Sequence, residues 1–132
     1  MNTKKKIETA KAPKAIGPYS QAIAVGDFVF CSGQVPLNPE TAVLENAEIG
    51  VQTRRVMSNV AQVLEAAGSS PGKVIKTTVF LTDLKNFEAF NKEYEAFFNT
   101  HAAGQPYPAR STVEVSALPR GSMVEVEAIA LK

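Results

Sequence analysis

Arg110 and Glu125 are two charged residues whose types and positions suit chemistry on a small anion. Each lies in a segment of alternating apolar and polar residues, 106–115 and 123–130, which is the period of a half-buried strand. A guanidinium can bind a planar carboxylate through two parallel hydrogen bonds. The pair therefore suits a small carboxylate ligand that lies between a guanidinium and a carboxylate.

The loop that joins these two segments carries proline and glycine, and it predicts a hairpin. If the hairpin turns about Leu118 and Pro119, Thr112 faces Glu125, and Arg110 lies diagonal to Glu125 on the same face of the sheet. Diagonal positions are about 7–8 Å apart, which leaves room for a small ligand between the two charges. A slip of one residue would turn Arg110 away from Glu125, so this prediction depends on the register.

The composition describes an ordinary soluble globular protein of 132 residues, and we expect one compact domain over residues 1–132. The net charge is +1 and the 14 basic residues are scattered, whereas a nucleic-acid binder more often concentrates them on one face. The basic cluster Lys4 to Lys6 has no apolar run behind it, so we interpret it as a solvated tail and not as a secretory signal. No apolar run reaches membrane-spanning length.

Cys31 is the only cysteine and His101 is the only histidine. A single cysteine excludes an intrachain disulfide and a cysteine metal cluster. We expect Cys31 to be an inert core residue, because free cysteines are commonly buried. We therefore expect a cytoplasmic protein without a metal site, and we expect neither nucleic acid nor a membrane as a partner.

The periodicity predicts an α+β fold of two layers, in which two helices pack on one face of a mixed β-sheet. The uncovered face would carry Phe28, Phe30, Ile129 and Leu131, and an exposed patch of that kind usually marks an interface. We therefore expect a homo-oligomer joined through the sheet. The predicted elements are a short edge strand at 7–12, a hairpin of strands 21–25 and 28–35 turning at Gly26 and Asp27, a helix at 46–67 ended by Gly68, a strand at 73–81, a helix at 87–99, and strands at 106–115 and 123–130.

Small residues near the end of the predicted strand 28–35 leave its backbone accessible. Ser32 and Gln34 alternate with Gly33, which permits a ligand or another strand to approach the backbone. Tyr19 lies in a loop of two prolines and a glycine, and local evidence favours an aromatic residue packed on the domain. Asn91 lies beside the aromatic stripe of the second helix, where its amide suits either a cleft or an exposed position.

Six motifs, in this order, resemble the RidA (YjgF) family of reactive-intermediate deaminases over nearly the whole chain. They are Ile16-Gly-Pro-Tyr-Ser-Gln21, Cys31-Ser-Gly-Gln34, Lys76-Thr-Thr-Val-Phe-Leu81, Phe90-Asn-Lys-Glu-Tyr-Glu-Ala-Phe-Phe98, Pro108-Ala-Arg-Ser-Thr-Val-Glu-Val115 and Val124-Glu-Val-Glu-Ala-Ile-Ala130. The resemblance implies a chorismate-mutase-like fold and a homotrimer with active sites in the clefts between subunits. It also implies hydrolysis of 2-aminoacrylate, 2-iminopropanoate and 2-iminobutanoate to 2-oxo acids and ammonia, without a cofactor.

The resemblance also implies roles for single residues. Arg110 matches the arginine that binds the substrate carboxylate, and Glu125 matches the carboxylate that handles water and protons. The positions that match the lining of the cleft are Tyr19, Ser32, Gly33 and Asn91. Thr112 stands where many deaminase members have cysteine; its hydroxyl keeps a polar lining but argues against thiol chemistry.

A second class of function uses the same residues. A regulatory protein with this fold would bind a 2-oxo acid without turnover, through Arg110. Glu125 discriminates between the two, because a pure carboxylate sensor gains little from a nearby negative charge. Nuclease activity has been attached to relatives, but no motif in the chain resembles a nuclease centre and the charge balance disfavours it.

Overall fold

The computed structural model describes residues 3–132. The elements are β1 Lys5–Ile7, β2 Ala22–Val25, β3 Phe28–Gln34, α1 Ile49–Ala66, β4 Val74–Leu81, α2 Phe87–His101, β5 Ala109–Glu114 and β6 Val124–Leu131. Every predicted helix and strand after residue 20 is therefore confirmed. The first strand is shifted: Lys5 and Lys6 pair with β2 while their long side chains stay exposed, so these residues do not form a tail.

The six strands form one mixed sheet in the order β1-β2-β3-β6-β4-β5, in which only the pair of β4 and β5 is parallel. Alternate residues of β6 are buried, because they face the apolar stripe of α1 and the aromatic stripe of α2. The two-layer α+β fold is confirmed. Within residues 3–132, neither helix combines the length and the hydropathy that a membrane span requires.

The sheet face opposite the helices is here called the open face. Its apolar residues include Phe28, Phe30 and Leu131, whose side chains are 42%, 45% and 41% exposed. Glu125 and Glu127 lie on the same face of β6, between buried neighbours that point to the helices. The predicted uncovered apolar patch is therefore present, and it is interrupted by carboxylates.

The predicted hairpin of β5 and β6 is wrong. The segment β4-α2-β5 is a strand–helix–strand unit, which places β5 parallel to β4 at the edge of the sheet. The chain then passes β4 and enters the sheet as β6, with β3 on one side and β4 on the other. Pairing on both edges buries β6 at the centre of the sheet, which a terminal hairpin would not achieve.

Candidate active site

Arg110 lies under α2 at the edge of the sheet. It pairs with Thr77 of β4, whose side chain is buried beneath the helix, so Arg110 faces the helical layer. Its Cζ atom lies over the rings of Tyr94, Phe87 and Phe90, at 4.9, 5.6 and 5.7 Å from their centroids. No carboxylate oxygen of residues 3–132 lies within 4 Å of the guanidinium. The cation is therefore held by ring faces, and its N–H groups are not committed to a protein carboxylate.

A cavity of about 460 Å³ opens beside the guanidinium, between α2 and the start of β5. Asn91, Glu95 and Tyr107 contribute to its lining. Oδ1 of Asn91 and Oγ1 of Thr112 are buried, and within the described part of the chain neither has a hydrogen-bond partner. Because Thr112 follows Arg110 by two residues in β5, the two share a face. We call Arg110, Asn91 and Thr112 the arginine group.

Glu125 lies on the open face, opposite Phe80 of β4. Its side chain is half-buried. Burial raises the pKa of the Glu125 carboxyl, and the nearby negative charge of Glu127 raises it further. A carboxylate with a raised pKa is a stronger base than an ordinary glutamate, and general catalysis is most effective when the pKa approaches the working pH.

Gly33 lies against Glu125 because of an irregularity in β3. Cys31 pairs with Ala128 and Gln34 pairs with Val126, so β3 has one residue more than β6 over this stretch, which is a β-bulge. Simple alternation along the strand would place Gln34 on the face of Phe28, but the bulge buries Gln34 towards the helices. It also brings Gly33 against Glu125, where a Cβ atom would lie 2.8 Å from Cδ of Glu125.

Ser32 and Tyr19 belong to the same end of the sheet as Gly33. The Ser32 hydroxyl donates to the carbonyl of Ser20 at 2.6 Å, and its N–H donates to the carbonyl of Gln21 at 2.9 Å. These bonds hold the loop of Tyr19 beside β3. Tyr19 is 53% exposed and lines a cavity of about 310 Å³ together with Gly33. The local interpretation of Tyr19 as an aromatic packed on the domain is therefore wrong.

The structure divides the predicted site residues between two places. Arg110 aligns through Thr77 with Ala128, which lies two strands away and three residues beyond Glu125. The two positions are thus separated by roughly 10 Å across the strands and roughly 10 Å along them, and they face opposite sides of the sheet. The predicted diagonal pair is wrong, because β4 intervenes. Gly33, Ser32, Tyr19 and Glu125 are here called the glutamate group.

Sequence reasoning missed the aromatic residues that hold Arg110. Tyr94 belongs to the aromatic stripe by which α2 packs on the sheet, yet its hydroxyl lies 2.7 Å from Oγ1 of Thr77 in the buried layer. A signal was present, because a tyrosine in a buried stripe usually needs a partner for its hydroxyl. The predicted burial of Cys31 is confirmed, and burial together with the charge of Glu127 raises its pKa to about 12, as an inert thiol requires. A larger cavity of about 570 Å³, between α1 and α2, contains no predicted site residue.

A mixed six-stranded sheet with two helices packed on one face is the YjgF, or chorismate-mutase-like, fold, and here it carries an arginine group and a glutamate group at separate places. The family model described as Endoribonuclease L-PSP matches residues 9–132. The chain belongs to this family, which is the RidA (YjgF) family that the six motifs resemble.

Relatives are similar over nearly their whole length. A RutC family protein of Pyrococcus abyssi is 49% identical, over 98% of this chain and 98% of that protein. The 2-iminobutanoate/2-iminopropanoate deaminase of Escherichia coli strain K12 is 46% identical, over 97% of this chain and 98% of that protein. A crystal structure of E. coli TdcF with bound serine superposes with a TM-score of 0.92 at 45% identity, covering 97% of this chain and 98% of that chain.

Proposed function

We propose that the protein is a 2-iminobutanoate/2-iminopropanoate deaminase, which hydrolyses reactive enamines and imines to 2-oxo acids and ammonia. The observation that supports this proposal most strongly is the environment of the Arg110 side chain. Its guanidinium is supported by aromatic rings and opens to a cavity of ligand size, and no carboxylate of residues 3–132 occupies its N–H groups. The similarity to the E. coli deaminase over 97% of the chain supports the same reaction.

The substrate would be held by its carboxylate. Two N–H groups of Arg110 would donate to the two carboxylate oxygens, which fixes the plane of the conjugated C=N bond. The unpartnered oxygens of Asn91 and Thr112 suit N–H or O–H groups of the ligand. The serine bound in the TdcF crystal structure is also a small amino acid with a carboxylate, which supports a ligand of this class.

Glu125 would move the protons. The carboxylate takes a proton from water as the water oxygen attacks the carbon of the protonated C=N bond, so that the nitrogen becomes a neutral amine and the carbon carries a hydroxyl group. Glu125 then returns that proton to the nitrogen. The C–N bond breaks as the hydroxyl group gives its proton to Glu125, and the products are a 2-oxo acid and ammonia, which takes this proton and leaves as ammonium. For an enamine, the protonated Glu125 first donates to carbon and gives the imine. The raised pKa of Glu125 suits both directions of transfer.

We further infer that the site is completed by a second copy of the chain. One small ligand cannot contact Arg110 and Glu125 of the same chain, because they face opposite sides of the sheet. The exposed Phe28, Phe30 and Leu131 of the open face suit an interface. A closed homotrimer, in which the arginine group of one subunit meets the glutamate group of the next, would form three equal clefts. We place the reaction in the cytoplasm, where pyridoxal-phosphate dehydratases release these imines.

The test couples the purified protein to a threonine dehydratase and follows the loss of 2-iminobutanoate. We expect the wild type to exceed the uncatalysed rate, and Glu125→Gln to be slower by roughly 10²–10⁴-fold, the usual contribution of an acid–base group. Glu88→Gln is the control, since Glu88 is exposed on α2 and should behave as the wild type.

Binding of the product 2-oxobutanoate, measured by calorimetry, separates the two roles. Arg110→Lys keeps the charge but loses the planar fork, so binding should weaken. Glu125→Gln should still bind the product. A Glu125→Gln variant that hydrolyses the imine at the wild-type rate would refute this mechanism. A wild type that binds 2-oxobutanoate but does not accelerate hydrolysis would instead identify a non-catalytic 2-oxo-acid-binding regulator.

A further inference from the structure

The guanidinium of Arg110 is supported in an unusual way for a half-buried cation. Half-buried arginines are commonly paired with acids, but three aromatic rings of α2 take that place here. The ring of Tyr94 is the nearest, with 4.9 Å between its centroid and Cζ of Arg110. A ring face attracts the cation without accepting its N–H groups in the way a carboxylate does. The N–H groups of the Arg110 guanidinium can therefore donate to a ligand.

Tyr94 is itself fixed from the opposite side. Its hydroxyl and Oγ1 of Thr77 lie 2.7 Å apart, and both side chains are buried. Thr77 is also the residue of β4 that is in register with Arg110. Thr77 is thus linked to Arg110 in two ways: through the pairing of β4 with β5, and through the hydroxyl and ring of Tyr94.

The tyrosine hydroxyl is held neutral in this position. Burial raises the pKa of Tyr94, and this outweighs the lowering by the hydrogen bond with Thr77 and by the charge of Arg110. A neutral phenol adds no negative charge that would compete for the guanidinium. Glu95 lines the same cavity but makes no ion pair with Arg110.

We propose that Tyr94, anchored by Thr77, is a positioning residue that fixes the plane of the Arg110 guanidinium, so that its N–H fork is presented to the carboxylate of the ligand. Phe87 and Phe90 complete the support but have no hydroxyl through which to be anchored. This proposal deepens the proposed function, because the ligand is taken to be a 2-imino or 2-oxo acid. It concerns affinity for the carboxylate more than the proton transfer at Glu125.

The first experiment removes the ring face with Tyr94→Leu and measures the Kd of 2-oxobutanoate by calorimetry, together with kcat and KM for 2-iminobutanoate. We expect Kd and KM to rise about ten-fold, with kcat changed much less, as loss of a desolvated cation–π contact implies. Phe98→Leu is the matched control: Phe98 is buried on the same helix and packs on Tyr94 at 4.9 Å, but it is not among the rings over Arg110. It should lower stability and leave Kd within about two-fold.

A double-mutant cycle separates positioning from general packing. If Tyr94 acts through the fork of Arg110, Tyr94→Leu should add little to the loss already caused by Arg110→Lys. Equal losses in both backgrounds, or an equal rise of Kd in Phe98→Leu, would overturn the proposal.

The anchor is tested by variants that preserve volume. Tyr94→Phe keeps the ring and Thr77→Val keeps the shape of the threonine, and each should raise Kd by about three-fold, the cost of losing one ordinary hydrogen bond. The double variant should be no worse than either single variant. Tyr94→Phe and Thr77→Val also test the proposal if Tyr94→Leu does not fold. Unchanged binding of 2-oxobutanoate in both variants would show that the hydrogen bond between Tyr94 and Thr77 does not matter, and this would overturn the proposal.

Binding does not depend on turnover, so the two proposals can fail separately. If the wild type binds 2-oxobutanoate but does not hydrolyse imines, the proposed function falls while the Kd values still test Tyr94. If hydrolysis is present and Tyr94→Leu binds the product as tightly as the wild type, only the positioning role falls. If the wild type hydrolyses imines but shows no product binding, the KM values provide the test. An unchanged KM in Tyr94→Leu would then overturn the positioning role of Tyr94.

Discussion

Glu125 lies so close to the backbone of Gly33 that any side chain at position 33 would collide with it. A Cβ atom there would approach Cδ of Glu125 to 2.8 Å and its Cγ to 3.1 Å. The φ angle of Gly33 is not in the left-handed region, so the glycine is required for space and not for its backbone freedom. The bulge in β3 thus creates the place that the Glu125 carboxyl occupies.

Gly33→Ala should therefore displace Glu125 and reduce imine hydrolysis by about 10²-fold, because a shift of about 1 Å at a reacting group can cost that much. The protein should remain folded, since the side chain of Glu125 can rotate away. Gly50→Ala is the control: an added Cβ there meets no atom closer than 3.6 Å, and alanine favours the helix. Wild-type turnover by Gly33→Ala would show that the position of Glu125 is not critical.

The charge of Glu127 should shift the acid side of the pH–rate profile to higher pH. Glu127 is exposed and raises the pKa of Glu125, although burial of Glu125 is the larger cause. In the proposed mechanism hydrolysis needs Glu125 as carboxylate, so kcat/KM should rise with pH through this pKa. Glu127→Gln removes a negative neighbour and lowers the pKa, so the rise should move to lower pH.

The comparison is made with one imine for both proteins, because titration of the substrate then affects both profiles equally. Glu88→Gln, which removes an exposed charge from α2, should leave the profile in place. A shift to higher pH in Glu127→Gln, or none, would contradict the assignment of the rising limb to Glu125.

Local patterns in the sequence predicted the elements, but they did not predict which strands pair. The apolar stripe of α1 and the glycine that ends it are local, and Gly68 takes φ +81 with the N–H bonds of a Schellman motif. The position of β6 depends on partners far along the chain, β3 and β4. The predicted proximity of Arg110 and Glu125 depended on a hairpin of β5 and β6. These two strands do not pair with each other, because β4 lies between them and pairs with both.

The face of Gly33 could not be predicted for a related reason. A β-bulge shifts the alternation by one residue, and the glycine of Cys31-Ser-Gly-Gln34 is compatible with a bulge but does not fix its position. The resemblance to a family assigned the site residues to clefts between subunits without saying which of them share a chain. The contact between Arg110 and Tyr94 was not predicted, because the helical spacing of Tyr94 is also that of an ordinary core residue.

Cys31→Ala should retain most of the activity. The thiol is buried on the helical side of β3, and its pKa of about 12 keeps it protonated and unreactive. The loss of the sulfur atom should cost about 1 kcal/mol of folding free energy, as for small deletions in a core. The measurements are imine hydrolysis and denaturant unfolding, with thiol-reagent labelling of the folded wild type, which should be slow. Loss of turnover in a folded Cys31→Ala protein would contradict this.

The open face should hold three chains together. Light scattering at micromolar concentration should give three times the 14.1 kDa mass of one chain. Phe30→Asp places a charge on a 45% exposed ring position of the open face and should reduce the mass and the activity together. Val43→Asp changes a side chain that is 60% exposed in the loop between β3 and α1 and is not part of the open face, so it should change neither. A wild-type mass of one chain would exclude the trimer.

Mixing two impaired variants should restore activity if each site takes its arginine group from one subunit and its glutamate group from the next. Arg110→Lys and Glu125→Gln are denatured together in equal amounts and refolded, so that trimers form from random subunits. About one cleft in four then combines an intact arginine group with an intact glutamate group. The mixture, assayed at low substrate concentration, should therefore reach about a quarter of the wild-type rate, whereas either variant refolded alone should stay well below it.

The control mixture pairs Arg110→Lys with Asn91→Ala, which both alter the arginine group, since these two residues line one cavity. Every arginine group in that mixture carries a defect, so the rate should stay at or below that of the better variant refolded alone. Recovery in the first mixture and none in the second would place Arg110 and Glu125 of different subunits in one cleft. No recovery in the first mixture, with trimers present by light scattering, would rule out a cleft shared in this way.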